Sequence, residues 1–380
     1  MGRRVSCGLR RGSVEPVVIW FAIPALAGGA YFTLALVAGL QPRRSRRSEF
    51  TPPVSILKPV RGRDPKFYEA LVSHASQDYP EFEIVFGVQD PADPALQDID
   101  RLIASYPNVS IRVVREAPDT PNGKVGVLIA LAAAARHPFL LVNDSDIVVE
   151  PGYLRRVMSG LEDARTGLVT CLYRARGQSF PARFEALGIA TEFMPSVLVA
   201  RLIGVAEFAL GSTMAFRAEH LRQIGGFAAI GDYLADDYQL GARIHSLGLQ
   251  IVFADTVVET NLGDGTWSDV WKHQVRWSRT IRVSRGGGYL GAVITHVTFW
   301  CVVAALGGEG WIALACLAIR IAAGLVTARR VLNAQAAWWL MPVRDLWGFA
   351  VWCAGLFGST VEWRHQTLRL RSDGRIERVQ

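Results

Sequence analysis

In the middle of the chain, short apolar runs alternate with segments whose apolar residues recur at helical spacing. Residues 53–58, 82–88, 109–114, 139–142 and 167–173 read as strands. Residues 67–76, 95–106, 125–136 and 153–161 read as helices, the second carrying Leu96, Ile99, Leu102 and Ile103 on one face. Strand and helix taking turns predicts an α/β fold with a mostly parallel sheet covered on both faces. In such sheets ligands bind beyond the carboxyl ends of the strands. Further on, Met214-Ala215-Phe216 is strand-like, and a helix begins near Leu234 with Leu240, Ile244 and Leu247 at i, i+4 and i+7.

Long apolar stretches flank this alternation. Residues 16–40 carry no charge and are long enough to cross a bilayer, which predicts a retained anchor. Residues 289–306 and 311–326 are candidate spans, 334–343 is short enough to lie at the interface or re-enter, and 346–361 is borderline. Basic residues lie on both sides of the first stretch: Arg3, Arg4, Arg10 and Arg11 before it, Arg43, Arg44, Arg46 and Arg47 after it. Lys272, Arg276, Arg279, Arg282 and Arg285 lead into the second, and only Glu309 follows it. The positive-inside bias then puts the hydrophilic region in the cytoplasm. The expected division is a basic segment and anchor over 1–47, a catalytic domain over 48–285, membrane or re-entrant segments over 286–362, and a basic tail over 363–380.

Half of the residues are hydrophobic, and the net charge of +7 comes largely from clusters beside the apolar stretches. That placement points to anionic lipid headgroups. No basic patch is interleaved with aromatics, so no nucleic-acid partner is expected. The five cysteines are scattered without zinc spacing, which fits a reducing compartment.

Candidate chemistry gathers where predicted strands end and helices begin. Asp144 and Asp146 follow the run 139–142 and suit a divalent cation, Mg²⁺ or Mn²⁺, with phosphate oxygens completing its shell. Carboxylates at strand ends also form turns and caps. Asp90 follows another strand, where it suits hydrogen bonds from a base or ribose; Asp90-Pro91 is equally a turn former. Lys124 opens a helix after Pro121-Asn122-Gly123, a place for a diphosphate or for a solvated lysine. Asp236 and Asp237 open another, where the helix dipole alone favours acids. Adjacent helical residues point about 100° apart, so only one carboxylate can face a given site. Lys272, Arg276 and Arg279 recur at i, i+4 and i+7 as a cationic stripe beside His273 and Trp277.

Taken together, Leu57-Lys58-Pro59, Val88-Gln89-Asp90, Asn122-Gly123-Lys124, Asp144-Ser145-Asp146, Ala235-Asp236-Asp237-Tyr238 and Arg276-Trp277 resemble the motifs of membrane-bound family 2-type glycosyltransferases of GT-A fold. More narrowly, the chain resembles ceramide glucosyltransferases and bacterial relatives that glycosylate hopanoids. The resemblance runs from about residue 53 to 285 and more weakly to the end. It implies that Lys58, Asp90, Lys124, Asp144, His273, Arg276 and Trp277 bind the nucleotide sugar, that Asp144 and Asp146 hold the metal, and that Asp237 is the general base. It also implies a UDP-sugar donor, a lipid acceptor such as ceramide or a hopanoid, and a bacterial inner membrane. The family's closing motif has Gln or Arg where His273 stands, with Gln274 displaced by one. The expected activity is inverting transfer of a sugar, glucose first, to a lipid hydroxyl. Alternatives are a hopanoid N-acetylglucosaminyltransferase, a processive polysaccharide synthase and a catalytically inactive membrane scaffold.

Overall fold

All six residues of strand β1 (Val54–Pro59) are buried, as expected of a parallel strand covered on both faces. It lies within a sheet built with β2 (Phe82–Gly87), β3 (Ser110–Val114), β4 (Phe139–Val142), β5 (Thr166–Arg176), β6 (Met214–Arg217) and β7 (Gln250–Asn261), in the order β3-β2-β1-β4-β6-β5-β7. Every ladder is parallel except the two made by β6, which runs against β4 and β5. This computed structural model describes residues 19–42, 48–363 and 366–379. The arginine clusters flanking the first apolar stretch lie outside the described residues.

The helices are α1 (Ile23–Leu40), α2 (Phe67–Ala75), α3 (Ala95–Ser105), α4 (Gly123–Ala134), α5 (Tyr153–Met158), α6 (Phe180–Gly188), α7 (Met194–Leu202), α8 (Ala218–Gln223), α9 (Asp236–His245), α10 (Trp267–Ser284), α11 (Gly286–Gly291), α12 (Val297–Leu306), α13 (Gly310–Val326) and α14 (Met341–Leu356). Successive residues of β1 and β4 feed opposite cores, as the strand period of two requires. Ile56 and Leu141 pack with Leu71, Ile99 and Leu102 on one face. Leu57, Leu140 and Val142 pack with Leu128, Leu131 and Leu240 on the other. Strands β2 and β3 extend from one side of β1 and β4 lies on the other, so chain direction diverges between β1 and β4. That divergence opens a crevice beyond Pro59 and Val142.

Two described helices are long and apolar enough to cross a membrane, Trp20–Leu40 and Gly310–Val331. Gly28 and Gly29 let the first approach its neighbours closely: added Cβ atoms would fall 2.6 Å from the Ile294 carbonyl oxygen and 2.9 Å from Cys316 Sγ. The span expected over 289–306 is instead a broken pair, Gly286–Thr295 and Val297–Leu306, bent by 53°. The break falls at His296, which is not helical. The borderline stretch 346–361 is likewise divided: α14 ends at Leu356, and Thr360 and Val361 belong to a strand.

Helices α6, α7 and α8 had no counterpart in the sequence pattern, and neither did two β features. The first is β7, twelve residues long. The second is the C-terminal segment, expected only as a basic tail. Strands β8 (Thr360–Trp363), β9 (Gln366–Leu370) and β10 (Ile376–Arg378) form an antiparallel sheet. Val361, Leu368, Leu370 and Ile376 pack on Leu234, just before α9.

Candidate functional site

The crevice between β1 and β4 holds the first group of candidate residues. Lys58 is wholly buried, and its Nζ donates to the Asp144 backbone carbonyl at 3.1 Å. Burial depresses its pKa to about 7, against the opposing pull of Asp146, Asp144 and Asp64. The turn after β4 is fixed from below. His74 donates through Nδ1 to the Ala70 carbonyl at 2.9 Å, leaving Nε2 to accept from Asn143 Nδ2 at 2.7 Å. His74 is thus a positioning residue for the turn that carries Asp144. Burial and then the Lys58 charge hold its pKa well below the usual range, so it stays neutral.

Asn122 caps α4, its side chain accepting from the Lys124 and Val125 amides. Lys124 therefore sits in the first turn, and its Nζ reaches Asp144 Oδ1 at 2.8 Å and Asp236 Oδ2 at 3.2 Å. Burial lowers its pKa, but Asp144, Asp236 and Asp237 outweigh that and leave it raised. The two acids that open α9 divide as helical geometry requires: Asp236 pairs with Lys124, whereas Asp237 accepts from the Gly211 amide at 3.0 Å. An atom placed as a Cβ on Gly211 would lie 3.4 Å from Asp237 Oδ2 and 3.7 Å from Asp144 Oδ2. Both carboxylates thus border one point, and a side chain at 211 would occupy it. Burial and the Asp236 charge raise Asp237 to about 6.

Two cavities meet here. One, of about 370 Å³, is lined by Arg61, Gln89, Asp90, Asp119, Lys124, Asp144 and Ser145 among others. The second, of about 590 Å³, is lined by Lys124, Asp144, Ser145, Asp146, Asp237, His273, Arg276 and Trp277, and continues along Phe193, Val197, Ala200, Phe208 and Ile281. Lys124, Asp144 and Ser145 are the common wall. Asp90 forms a turn, its Oδ1 accepting from the Ala92 amide at 2.8 Å, and it also lines the first cavity.

His273 faces the second cavity, its Nδ1 2.7 Å from Glu185 Oε1 and its ring 4.6 Å from that of Trp277. Gln274 points elsewhere: its Oε1 accepts from Arg344 Nη2 at 3.1 Å and Trp347 Nε1 at 2.8 Å on α14. The cationic stripe is divided in the same way. Arg276 lines the cavity, Lys272 pairs with Glu362, and Arg279 donates to the Phe357 and Thr360 carbonyls.

Asp64, Thr260 and Glu185 were not anticipated. Asp64 accepts from Ser145 Oγ, and Thr260 Oγ1 donates to Asp146 Oδ2. These contacts join segments 81 and 114 residues apart, with no local spacing to show them. Burial, then the Asp144 charge, raise Asp146 to about 6, with Asp64 adding to the repulsion. Crowded carboxylates of this kind fit a divalent cation. Among the described residues no group of three or more His, Cys, Asp or Glu has metal-binding spacing. An ion held by Asp144 and Asp146 would have to take its remaining oxygens from a phosphate or water.

The family model described as glycosyl transferase family 21 matches residues 17–376. Ceramide glucosyltransferase 1 of Caenorhabditis elegans is 28% identical over 229 residues, 60% of this chain and 49% of the relative. The ceramide glucosyltransferase of Komagataella phaffii is 32% identical over 153 residues, 38% of this chain and 29% of the relative. This chain spans half or less of the length of these relatives. A mannosyltransferase of Pyrobaculum calidifontis, solved in complex with GDP-Man and Mn²⁺, superposes with a TM-score of 0.56 at 18% identity. That match covers 90% of this chain and 96% of that one. The likeness establishes the shared GT-A fold.

Proposed function

Because the chain belongs to glycosyl transferase family 21, we propose that it moves a sugar, glucose first, from a UDP-sugar to the primary hydroxyl of a membrane lipid such as ceramide, with inversion at the anomeric carbon. The observation that carries this reading is the common wall of Lys124, Asp144 and Ser145 between a polar cavity and one with an apolar arm. The polar cavity, with Asp90 and Lys124, takes the nucleotide. The diphosphate lies against Lys124 at the start of α4, where helix dipole and lysine act together. The apolar arm between α7 and α10 takes the lipid, and the broken pair α11–α12 directly follows α10. Ceramide glucosyltransferase relatives support this choice of acceptor and sugar.

Asp237 accepts the proton from the attacking hydroxyl. Its two backbone hydrogen bonds, from Gly211 and Tyr238, hold the carboxylate toward the space shared with Asp144. Asp144 and Asp146 would hold a divalent cation, Mg²⁺ or Mn²⁺, which when bound neutralises charge on the leaving diphosphate. Arg276 adds positive charge to the wall of the cavity that Asp237 also lines, and His273, oriented by Glu185, packs edge-on against Trp277 beside it. In this reading the hydrophilic domain faces the cytoplasm of a bacterial cell, where nucleotide sugars are made.

The test is incubation of purified protein with labelled UDP-glucose or UDP-N-acetylglucosamine and either ceramide or a hopanoid, with products identified by mass spectrometry. A glucosylated ceramide supports the reading. N-acetylglucosaminyl hopanoid would move it to the alternative substrate pair, and no transfer with any pair would overturn it.

A further inference from the structure

The C-terminal sheet is joined to the catalytic domain along three sides. From α10, Arg279 donates to the Phe357 and Thr360 carbonyls, Arg282 to the Leu356 and Gly358 carbonyls, and Lys272 pairs with Glu362. On the side of α9, the Ile376 amide donates to the Asp232 carbonyl at 2.7 Å, Tyr233 bridges to Arg375, and Leu234 sits in the sheet's apolar cluster. On the third side, Arg378 pairs with Asp119 through both Nη atoms, at 3.1 and 2.5 Å, and Nη2 also donates to the Thr120 carbonyl at 2.6 Å.

These contacts place Gln366 of β9 and Arg378 of β10 on the wall of the cavity that also holds Asp90, Lys124 and Asp144. A guanidinium has five N–H donors. The three bonds to Asp119 and Thr120 use one hydrogen of Nη1 and both of Nη2, so Nε and the second Nη1 hydrogen are not engaged by them. Resting on the nucleotide reading of that cavity, we propose that the C-terminal sheet is part of the donor site, with Arg378 a binding residue for the nucleoside diphosphate and Gln366 a second contact.

The chemistry suits the place. A guanidinium anchored on one edge by a carboxylate loses little further freedom when its other edge meets a ligand oxygen. The cavity wall carries more acids than bases, so each cation on it matters to an incoming anion. Asp90, Asp93, Asp119 and Asp144 all line the cavity, with Arg61, Lys124 and Arg378 as its cations. The same sheet holds residues 232–234, and the Tyr233 carbonyl accepts from the Asn122 side chain that caps α4 at 2.8 Å. The segment that leads into Asp236 and Asp237 and the cap that places Lys124 are therefore both tied to it.

The test uses the full chain in detergent or nanodiscs, with UDP as the probe and a divalent cation present. R378A and R378Q are compared with wild type for UDP affinity by calorimetry and for the rise in melting temperature that UDP produces. Both variants should keep the melting temperature of the free protein, lose about tenfold or more in UDP affinity, as expected for a charged hydrogen bond, and show a smaller UDP-induced rise. With donor and acceptor together, KM for the donor should rise while kcat changes less. Unchanged UDP affinity in R378Q alongside a wild type that binds UDP would overturn this assignment and leave the proposed function standing. A parallel loss of free-protein stability and kcat in both variants, without loss of UDP affinity, would make Arg378 structural and overturn it too. A wild type that binds no UDP would remove both this inference and the reading beneath it.

Discussion

Replacing Asp237 with Asn should make the protein more stable and stop the reaction. The carboxyl is raised from 3.8 to about 6 by burial and by Asp236. The sign follows from linkage: a raised carboxyl pKa means that ionisation costs more in the folded chain than in the unfolded one, so this group's contribution is lost as pH rises through about 6. At neutral pH that cost is of order 3 kcal/mol, at about 1.4 kcal/mol per pKa unit. Asparagine removes the charge and retains an oxygen for the Gly211 and Tyr238 amides, although neutral acceptors give weaker bonds. A net gain of about 1–2 kcal/mol remains, a rise of a few degrees in melting temperature for a domain of this size. Turnover should fall by at least ~10²–10⁴-fold through loss of the base, with UDP affinity little changed. Scanning calorimetry at neutral pH and a radiolabelled transfer assay read the two effects. A lower melting temperature would refute the burial argument, and full turnover would remove Asp237 from the base role.

Asp237 gains a proton as pH falls through about 6, so log kcat/KM should drop below that pH with a slope of one; a flat profile from about pH 5 to 7.5 contradicts this. Treatment with EDTA should abolish transfer and weaken UDP binding, and added Mg²⁺ or Mn²⁺ should restore both; activity that survives exhaustive chelation contradicts the role given to Asp144 and Asp146. In the membrane region, Asp345 accepts from Arg320 Nη2 at 2.6 Å and from Thr298 at 2.8 Å, with both charges almost fully buried. D345N leaves Arg320 buried without its counter-charge and should destabilise the protein by about 3–5 kcal/mol, read by thermal unfolding in detergent.

The strands β1, β2 and β4 were legible because burial on both faces leaves short, dense apolar runs. Strand β7 escaped notice because Asp255 and Thr256 interrupt its run, and most of its residues are only half-buried. The C-terminal strands are short and expose polar or charged residues, Thr367 and Arg369 in β9 and Glu377 and Arg378 in β10, which reads as a polar tail when the surface they cover is not in view. In the site, Asp144, Lys124 and Asp237 could be found because each sits at an element boundary, where a local pattern marks it. Asp64 and Glu185 could not, since each acts on a partner more than 80 residues away. Asp236 was visible as one of two adjacent acids, but its pairing with Lys124 depends on how α4 and α9 converge. The displacement of Gln274 by one residue is explained by helix geometry: it turns toward Arg344 and Trp347, leaving His273 at the cavity.

In the proposed mechanism Asp144 belongs to the donor and to the chemistry at once, whereas Asp237 belongs to the chemistry alone. Titrating wild type, D144N and D237N with UDP in the presence of Mn²⁺ tests it most directly. D237N should keep wild-type affinity, and D144N should lose about tenfold or more, as for one metal-linked carboxylate. Equal affinity in D144N and wild type, or an equal loss in both variants, would contradict it.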